Sequence, residues 1–481
     1  MERELKLEFA AEDAASLARA PALDLAEASE RRLVATYFDT ADEDLCRAGF
    51  TLRVRDHGGR HVQTVKAEGA AAAGLFVRPE WERAVPGPDP VIDEAAGPIA
   101  ALVAGRALLP QFETDVRRRA RVIDWEGARI EVALDEGEIR AGGRAQSLGE
   151  LELELRDGPV PALFALARTL DEGGIPLRLG VLSKSERGRR LRDKASAGAA
   201  KAEPVALDRE GDAVEAFAAI AQSCLRQFRL NEALLLGPDT GTAPLHQARV
   251  GLRRLRSALS LFRKLLADDA EAGRFAAELK SLAAVLGDVR DLDVLIERHE
   301  GEARDRLFVA REEAFACVRT RLEEAATRRL ILDLAEWLAL GDWRVRPADP
   351  ALARQPISVF AADLLDRRRK RIKRRGGRLS RLDDHNRHQV RIEGKKLRYA
   401  AEFFAGLWTT NKAKRRRKRF AEAIEALQEE LGALNDLSHG AAVLARLGLP
   451  VEEPGPDKVR QRLARAEAAY EELIEAKRFW R

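Results

Sequence analysis

The sequence predicts an α+β chain: a β-rich first half of about eight antiparallel strands with flanking helices, then an all-helical half built on a duplication. Three observations predict it. Segments before residue 194 alternate apolar and charged residues at period two, the strand period. Segments after residue 212 are long runs of Ala, Leu, Arg and Glu with helical spacing. Between them, KASAGAAKAEPVALDREGD (194–212) is rich in Ala, Gly and charge, lacks apolar periodicity and contains Pro204.

The composition sets the class. The 481 residues are 46% hydrophobic, which excludes a disordered chain, and 34% charged, which asks for very polar surfaces or charge-lined cavities. No apolar run reaches the roughly 18 residues of a membrane span, and the opening MERELKLEFA has no leader-like apolar core. Cys46, Cys224 and Cys317 lie far apart with no CxxC, against a disulfide framework or a zinc–cysteine site. A cytoplasmic protein is expected. Residues 1–200 hold 29 Lys and Arg against 35 Asp and Glu; the remainder holds 54 against 44. The change of sign predicts two units with different partners, the second favouring an anion.

In the first half RELKLEF, TLRVR, QTVK, RPEWE, VRRRARVI, RIEVALD and ELELEL read as strands, with helical breaks near 11–20 and 160–173. Each puts Leu, Val, Ile or Phe on one face and charges on the other. Solvated outer faces would explain one such strand. Both signs recurring on strand after strand point instead to a curved or closed sheet with a charged interior. Glu2, Glu4 and Lys6 share a strand face, as do Glu150, Glu152 and Glu154. Facing carboxylate rows suit a hard cation, Mg²⁺ or Mn²⁺. Arg53, Arg55, Lys66, Arg78, Arg118 and Lys184, with Glu80 and Glu82 among them, suit a polyanion whose charge a metal partly neutralises. No nucleophile triad or GxxxxGK[ST] is present, and His57 and His61 fall in the turn-like DHGGRH.

The ordered set ELKLEF, YFDT (37–40), LRVR (52–55), TVK (64–66), ALDEGEI (133–139), ELELEL (150–155) and SKSERG (183–188) resembles a CYTH domain, the triphosphate tunnel metalloenzyme fold, over residues 1–195. The resemblance implies an eight-stranded antiparallel tunnel that binds a triphosphate and divalent metal. Carried over, Glu2, Glu4, Glu152 and Glu154 are metal ligands, with Glu150 and Asp135 as lesser candidates. Lys6, Arg53, Arg55, Lys66, Arg118 and Lys184 hold the triphosphate, Glu4 and these six forming the catalytic set. Arg189 stands where such proteins often show an aromatic residue. Arg117 and Arg119 flank Arg118, so the register there has a neighbour on either side.

In the second half, LHQARVGLRRLRSALSLF (245–262) aligns with RHQVRIEGKKLRYAAEFF (387–404) at a constant offset, and LGDVRDLDVL (286–295) echoes LGALNDLSHG (431–440). His246, Arg249, Arg253 and Arg256 form one helical stripe, and His388, Arg391, Lys395 and Arg398 repeat it. A duplicated pair of helical bundles with a basic groove is expected. RRRKRIKRR (367–375) and KAKRRRKR (412–419) read as outer surface. This half resembles a CHAD domain. With a linker at 196–206, it spans 207–481, and the resemblance implies that these eight residues bind inorganic polyphosphate. Asp291 and Asp436 are expected to pair with the basic residues. Nucleic acid is disfavoured, because aromatics are 5% and none interleave with the stripes as a stacking platform needs.

The expected function is metal-dependent hydrolysis of inorganic triphosphate, joined to polyphosphate binding and to association with polyphosphate granules. The alternatives are a non-catalytic polyphosphate-binding or targeting protein, and a triphosphatase for an organic triphosphate. No adenine pocket is identifiable, which places a cyclase reading lower.

Overall fold

In a computed structural model, the described residues are 2–481 except 24, 26–27, 68–69, 73, 104, 195–197, 239–240 and 452–454. Part of the expected linker thus lies outside the described residues. The chain divides into two compact units, residues 1–199 with 322–340, and 200–321 with 341–481.

The first unit is one antiparallel sheet. Its strands are β1 (Glu2–Glu8), β2 (Ser29–Thr40), β3 (Phe50–Asp56), β4 (His61–Ala67), β5 (Ala70–Ala72), β6 (Leu75–Arg78), β7 (Glu80–Val85), β8 (Leu108–Trp125), β9 (Ala128–Ala141), β10 (Arg144–Asp157) and β11 (Arg178–Leu179). Eight of these have six or more residues, and β5, β6 and β11 are short additions. The order is β5-β6-β1-β10-β9-β8-β2-β3-β4-β7, with β11 beside β1. Among the described residues β5 and β7 do not pair, so the sheet is curled rather than hydrogen-bonded into a ring. The curl is visible in side chains: Lys66 on β4 reaches Glu2 on β1 at 2.9 Å, although five strands lie between them along the sheet.

The sheet is polar inside and apolar outside. In ELELEL the glutamates point inward, while Leu151 and Leu153 are fully buried on the outer face, as is Leu5 of β1. Helices α1 (Ala14–Ala18), α2 (Asp44–Arg47), α3 (Ala100–Val103), α4 (Pro161–Glu172) and α5 (Lys184–Arg192) flank it. α4 covers β1 and β10 with Leu163, Phe164, Leu166 and Leu170. Burying each such side chain contributes about 1.5–3 kcal/mol, so the outer apolar face offsets the cost of a charged interior.

The second unit holds α6 (Ala213–Leu236), α7 (Thr242–Leu261), α8 (Ala270–Ile296) and α9 (Gly301–Glu323, whose last turn passes into the other unit). After α10 (Ala325–Leu340) it continues with α11 (Pro350–Ala353), α12 (Ile357–Arg375), α13 (Asp384–Phe403), α14 (Asn411–Arg446) and α15 (Pro456–Glu475). α10 itself belongs to the first unit. It lies on α4, where Arg168 bonds Asp333 at 2.8 Å and Glu336, and Arg328 bonds Asp171 at 2.5 Å. No helix among the described residues is long and apolar enough to cross a membrane.

Candidate functional site

Strand register places the charges. Glu4 lies opposite Glu154, which lies opposite Glu131, so three carboxylates form a row across β1, β10 and β9. The next row runs Lys6, Glu152, Ala133, and the next Glu150, Asp135, Arg118 and Arg31. Arg53 and Arg55 on β3, Lys66 on β4 and Glu80 and Glu82 on β7 complete the inner face. Apart from Glu150, Asp135 and Arg31, these residues line a cavity of about 270 Å³. Of the three consecutive arginines, Arg118 is the inward one, since Arg117 and Arg119 both bond Glu136.

Lys184 enters from α5. Ser183 caps that helix by accepting from the Glu186 N–H, and the Glu186 carboxylate accepts from the Ser183 N–H at 2.8 Å, a capping box written by SKSE. The helix can sit this close because of Gly188, where a Cβ would come 2.2 Å from the Phe112 ring.

The interior is a crossed ionic lattice. Lys6 Nζ bonds Glu4 at 2.9 Å, Glu150 at 2.8 Å and Glu152. Lys184 Nζ bonds Glu152 at 2.6 Å, Glu150 at 2.8 Å and Asp135 at 2.9 Å. Arg118 bonds Asp135 through two nitrogens and also meets Glu152. Burial works against the charges of Lys6, Lys184, Glu152 and Asp135, yet their partners outweigh it. The lysines 6 and 184 are held well above the usual range, Glu152 well below it, and Asp135 at about 2.

Two places in the lattice are out of balance. Burial, then the carboxylates of Glu2, Glu131 and Glu4, push Glu154 up to about 7 although Arg156 opposes them. Burial and Glu152 also raise Glu4. This corner is short of positive charge, and its donors are all carboxylate oxygens, the chemistry of a hard divalent cation. In the side-chain positions seen, Glu2 pairs with Lys66 and Arg78, and no three acids among the described residues are gathered as ready metal ligands. The second imbalance is positive. Arg53 Nε is buried and makes no hydrogen bond. Among the described residues no carboxylate lies within ion-pair distance of Arg55. Burial beside Arg53 and Arg118 pushes its guanidinium down to about 10.

The structure thus brings Glu2, Glu4, Lys6, Arg53, Arg55, Lys66, Arg118, Glu152, Glu154 and Lys184 to one cavity. Glu152 has its oxygens committed to Lys6, Lys184 and Arg118, which makes it the anchor of the cationic row. Glu131 and Tyr37 also line the cavity, though the sequence placed them only within RIEVALD and YFDT and not among the site residues. The alternation in RIEVALD, which puts Glu131 and Asp135 on one face, was the available signal for the first.

In the helical unit the two basic stripes meet. Arg249 donates to the Gly287 carbonyl at 2.9 Å and pairs with Asp291 at 3.5 Å. Arg253 donates to the Tyr399 hydroxyl at 2.5 Å. Lys395 is pushed down to about 7 by burial and by Arg391, Arg253 and Arg249. His246 is lowered by burial and by Arg290, Arg253, Arg249 and Arg398. Arg398 lies over the Tyr399 ring. His388 is exposed and bonds Asn435 at 2.9 Å, and burial alone lowers Arg256, so these two stand aside from the central cluster. Asp436 pairs with Arg298 at 3.8 Å. Tyr399 and Arg290 are additions that the stripe pattern did not contain.

Residues 1–188 match the family model of the CYTH domain, and residues 219–445 that of the CHAD domain. Over 143 residues, 28% of this chain, the sequence is 32% identical to an inorganic triphosphatase of Haemophilus influenzae, of whose length the match spans 39%. A crystal structure of the CHAD domain of the plant Ricinus communis is 28% identical, with 58% of this chain and 93% of that one covered and a TM-score of 0.44. An adenylyl cyclase candidate of Hippeastrum with a dominant triphosphatase activity is 21% identical over 40% of this chain and 97% of that one, with a TM-score of 0.29.

Proposed function

We propose that this chain, which joins a CYTH domain to a CHAD domain, hydrolyses inorganic triphosphate to diphosphate and phosphate and binds inorganic polyphosphate through its helical unit. The observation that carries the first part is a pair of neighbouring cations with donors to spare: Arg53, whose Nε makes no hydrogen bond although its far end lies 3.9 Å from Glu80 and 4.0 Å from Glu82, and Arg55, which has no carboxylate within ion-pair distance among the described residues. A buried cation that lacks an anion in the free protein is a seat for one. Arg53, Arg55, Lys66 and Arg118 hold the phosphate chain, while Lys6 and Lys184 fix the carboxylates behind it. Glu2, Glu4, Glu131 and Glu154 would hold a Mg²⁺ or Mn²⁺ ion, which when bound would supply charge neutralisation and a more acidic water. Glu4 orients the water that attacks the terminal phosphorus; the bridging P–O bond breaks, and a proton leaves to solvent. Positioning and charge stabilisation are what phosphoryl transfer asks of a protein. Among the described residues Tyr37 is the one ring in the lining, which favours an inorganic substrate over a nucleotide.

For the second part, Arg249, Arg253, Arg391 and Lys395 form the polyphosphate grip, and the helical unit localises the enzyme to the polymer. The test is phosphate release from triphosphate with Mg²⁺ or Mn²⁺ and with chelator. ATP, thiamine triphosphate and long-chain polyphosphate run beside it, with Glu4→Gln as control. Metal-dependent release lost in Glu4→Gln is expected. No release from any substrate, with polyphosphate still bound, would leave a binding protein.

A further inference from the structure

The duplicated helices are not chemically equivalent, and the difference leaves a cavity of about 250 Å³ between the end of α7, α12 and α13. In the repeat, Arg254 corresponds to Lys396, and Ser260 to Glu402. Arg254 is buried and paired: it lies 2.9 Å from Glu402 and donates to Gln227 at 2.8 Å. The twofold-related place has Lys396 beside Ser260, so the carboxylate is gone. Four arginines and a second lysine close in instead: Arg263, Lys264, Arg367, Arg368 and Arg371. Among the described residues the compensating acid is Glu393, which stands where the first repeat has Gly251. It is shared by Arg368 at 3.0 Å, Arg371 at 3.3 Å and Lys396 at 3.8 Å. Burial lowers Lys396, and Arg368, Arg371 and Arg263 add to this against Glu393. Among the described residues, Arg263, Lys264 and Arg367 have no carboxylate within ion-pair distance. Three of the cavity's arginines come from the run RRRKRIKRR, which the stripes leave without a role.

We propose that this cavity is an oxyanion site that takes a phosphate group, as free orthophosphate or as the end of an inorganic phosphate chain. Several forked and ammonium donors around one concavity match tetrahedral phosphate oxygens, and the anion replaces the carboxylate that the first repeat, with Ser260, lacks. The site is separate from the paired stripes, whose Lys395 lies on another face of α13 than Lys396.

Lysine acetylation of the full chain, read residue by residue by mass spectrometry, tests it. The probes are orthophosphate and long-chain polyphosphate. With orthophosphate at ten times its Kd, modification of Lys264 and Lys396 should slow about tenfold, the mass-action limit. In Arg263→Ser/Arg367→Ser, two exposed positions, that protection should vanish while protection of Lys395 by polyphosphate persists. Protection by polyphosphate alone, lost in the double variant, would assign the site to chain ends. Lys264 and Lys396 left unprotected by both probes while Lys395 is protected, or protection unchanged in the double variant, would overturn the proposal. Neither result depends on turnover in the β unit.

Discussion

The tunnel and the helical stripes are built from the same side chains and sit in opposite electrostatic states. In the tunnel each lysine is ringed by carboxylates, so Lys6 and Lys184 titrate above their usual range. In the stripes Lys395 is ringed by arginines and falls to about 7. The difference follows from geometry. Curling a sheet brings strands of both signs face to face across a narrow interior. Two basic helices crossing bring like to like. The tunnel therefore holds its shape without a ligand and spends only a few donors on one. The stripes hold cations against one another, with Asp291 beside Arg249 as one of the few acids in the cluster.

The largest consequence is for stability. Lys6→Met should cost about 3–5 kcal/mol, because the buried acids Glu4, Glu150 and Glu152 each lose a cation and Lys184, Arg118 and Arg78 are left to compensate them. Lys395→Met should leave stability within about 0.5 kcal/mol or raise it, since it removes repulsion. Urea unfolding of both full-length variants decides this. Equal losses would break the contrast.

Next comes Arg55→Met, which removes the cation without a carboxylate. A charge-assisted contact to the substrate is worth about 1.5–3 kcal/mol, so kcat/KM for triphosphate should fall about 10–100-fold with no loss of stability. A variant that instead unfolds more easily would mean Arg55 is part of the lattice. Glu131→Gln should be milder, raising the Mg²⁺ or Mn²⁺ needed for half-maximal rate by about tenfold, as removal of one carboxylate donor does. Turnover at unchanged metal demand would strike Glu131 from the set.

Much of this was legible in the sequence because a strand has only two faces. Once ELELEL and LRVR are read at period two, Glu152, Glu154, Arg53 and Arg55 must share an interior. Glu131 escaped because its partners, Glu4 and Glu154, come from strands whose register the sequence does not state. Helices are harder. The repeat exposed the stripes, but a helix has many faces, and periodicity does not say which neighbour each one meets. That Arg256 and His388 leave the cluster, and that α10 packs on α4 of the β unit, depend on crossing geometry alone. The three short strands were invisible for a simpler reason: segments such as Arg178–Leu179 are too short to show a period.

The smallest effect probes the stripes by pH. The groups facing Lys395 are Arg249, Arg253, Arg391 and the carboxylate of Asp436. Free, Lys395 titrates near 7, and a bound polyanion must raise that value because it favours the ammonium. Binding then takes up a proton wherever the pH lies between the free and bound values. Below pH 7 the lysine is charged in both states and contributes no pH dependence, so any rise in affinity there belongs to other groups such as His246. Above pH 7 affinity should fall by at most about tenfold per pH unit, one proton's worth, until the bound value is passed. Lys395→Arg, charged throughout, should flatten the profile between pH 7 and 9 while keeping the affinity found at pH 6. Polyphosphate titrations in buffers of equal ionic strength make the measurement, since screening would otherwise imitate the trend. A wild-type profile as flat as that of Lys395→Arg would show that the lysine keeps its proton among the arginines, and the two regions would then differ in charge count but not in charge state.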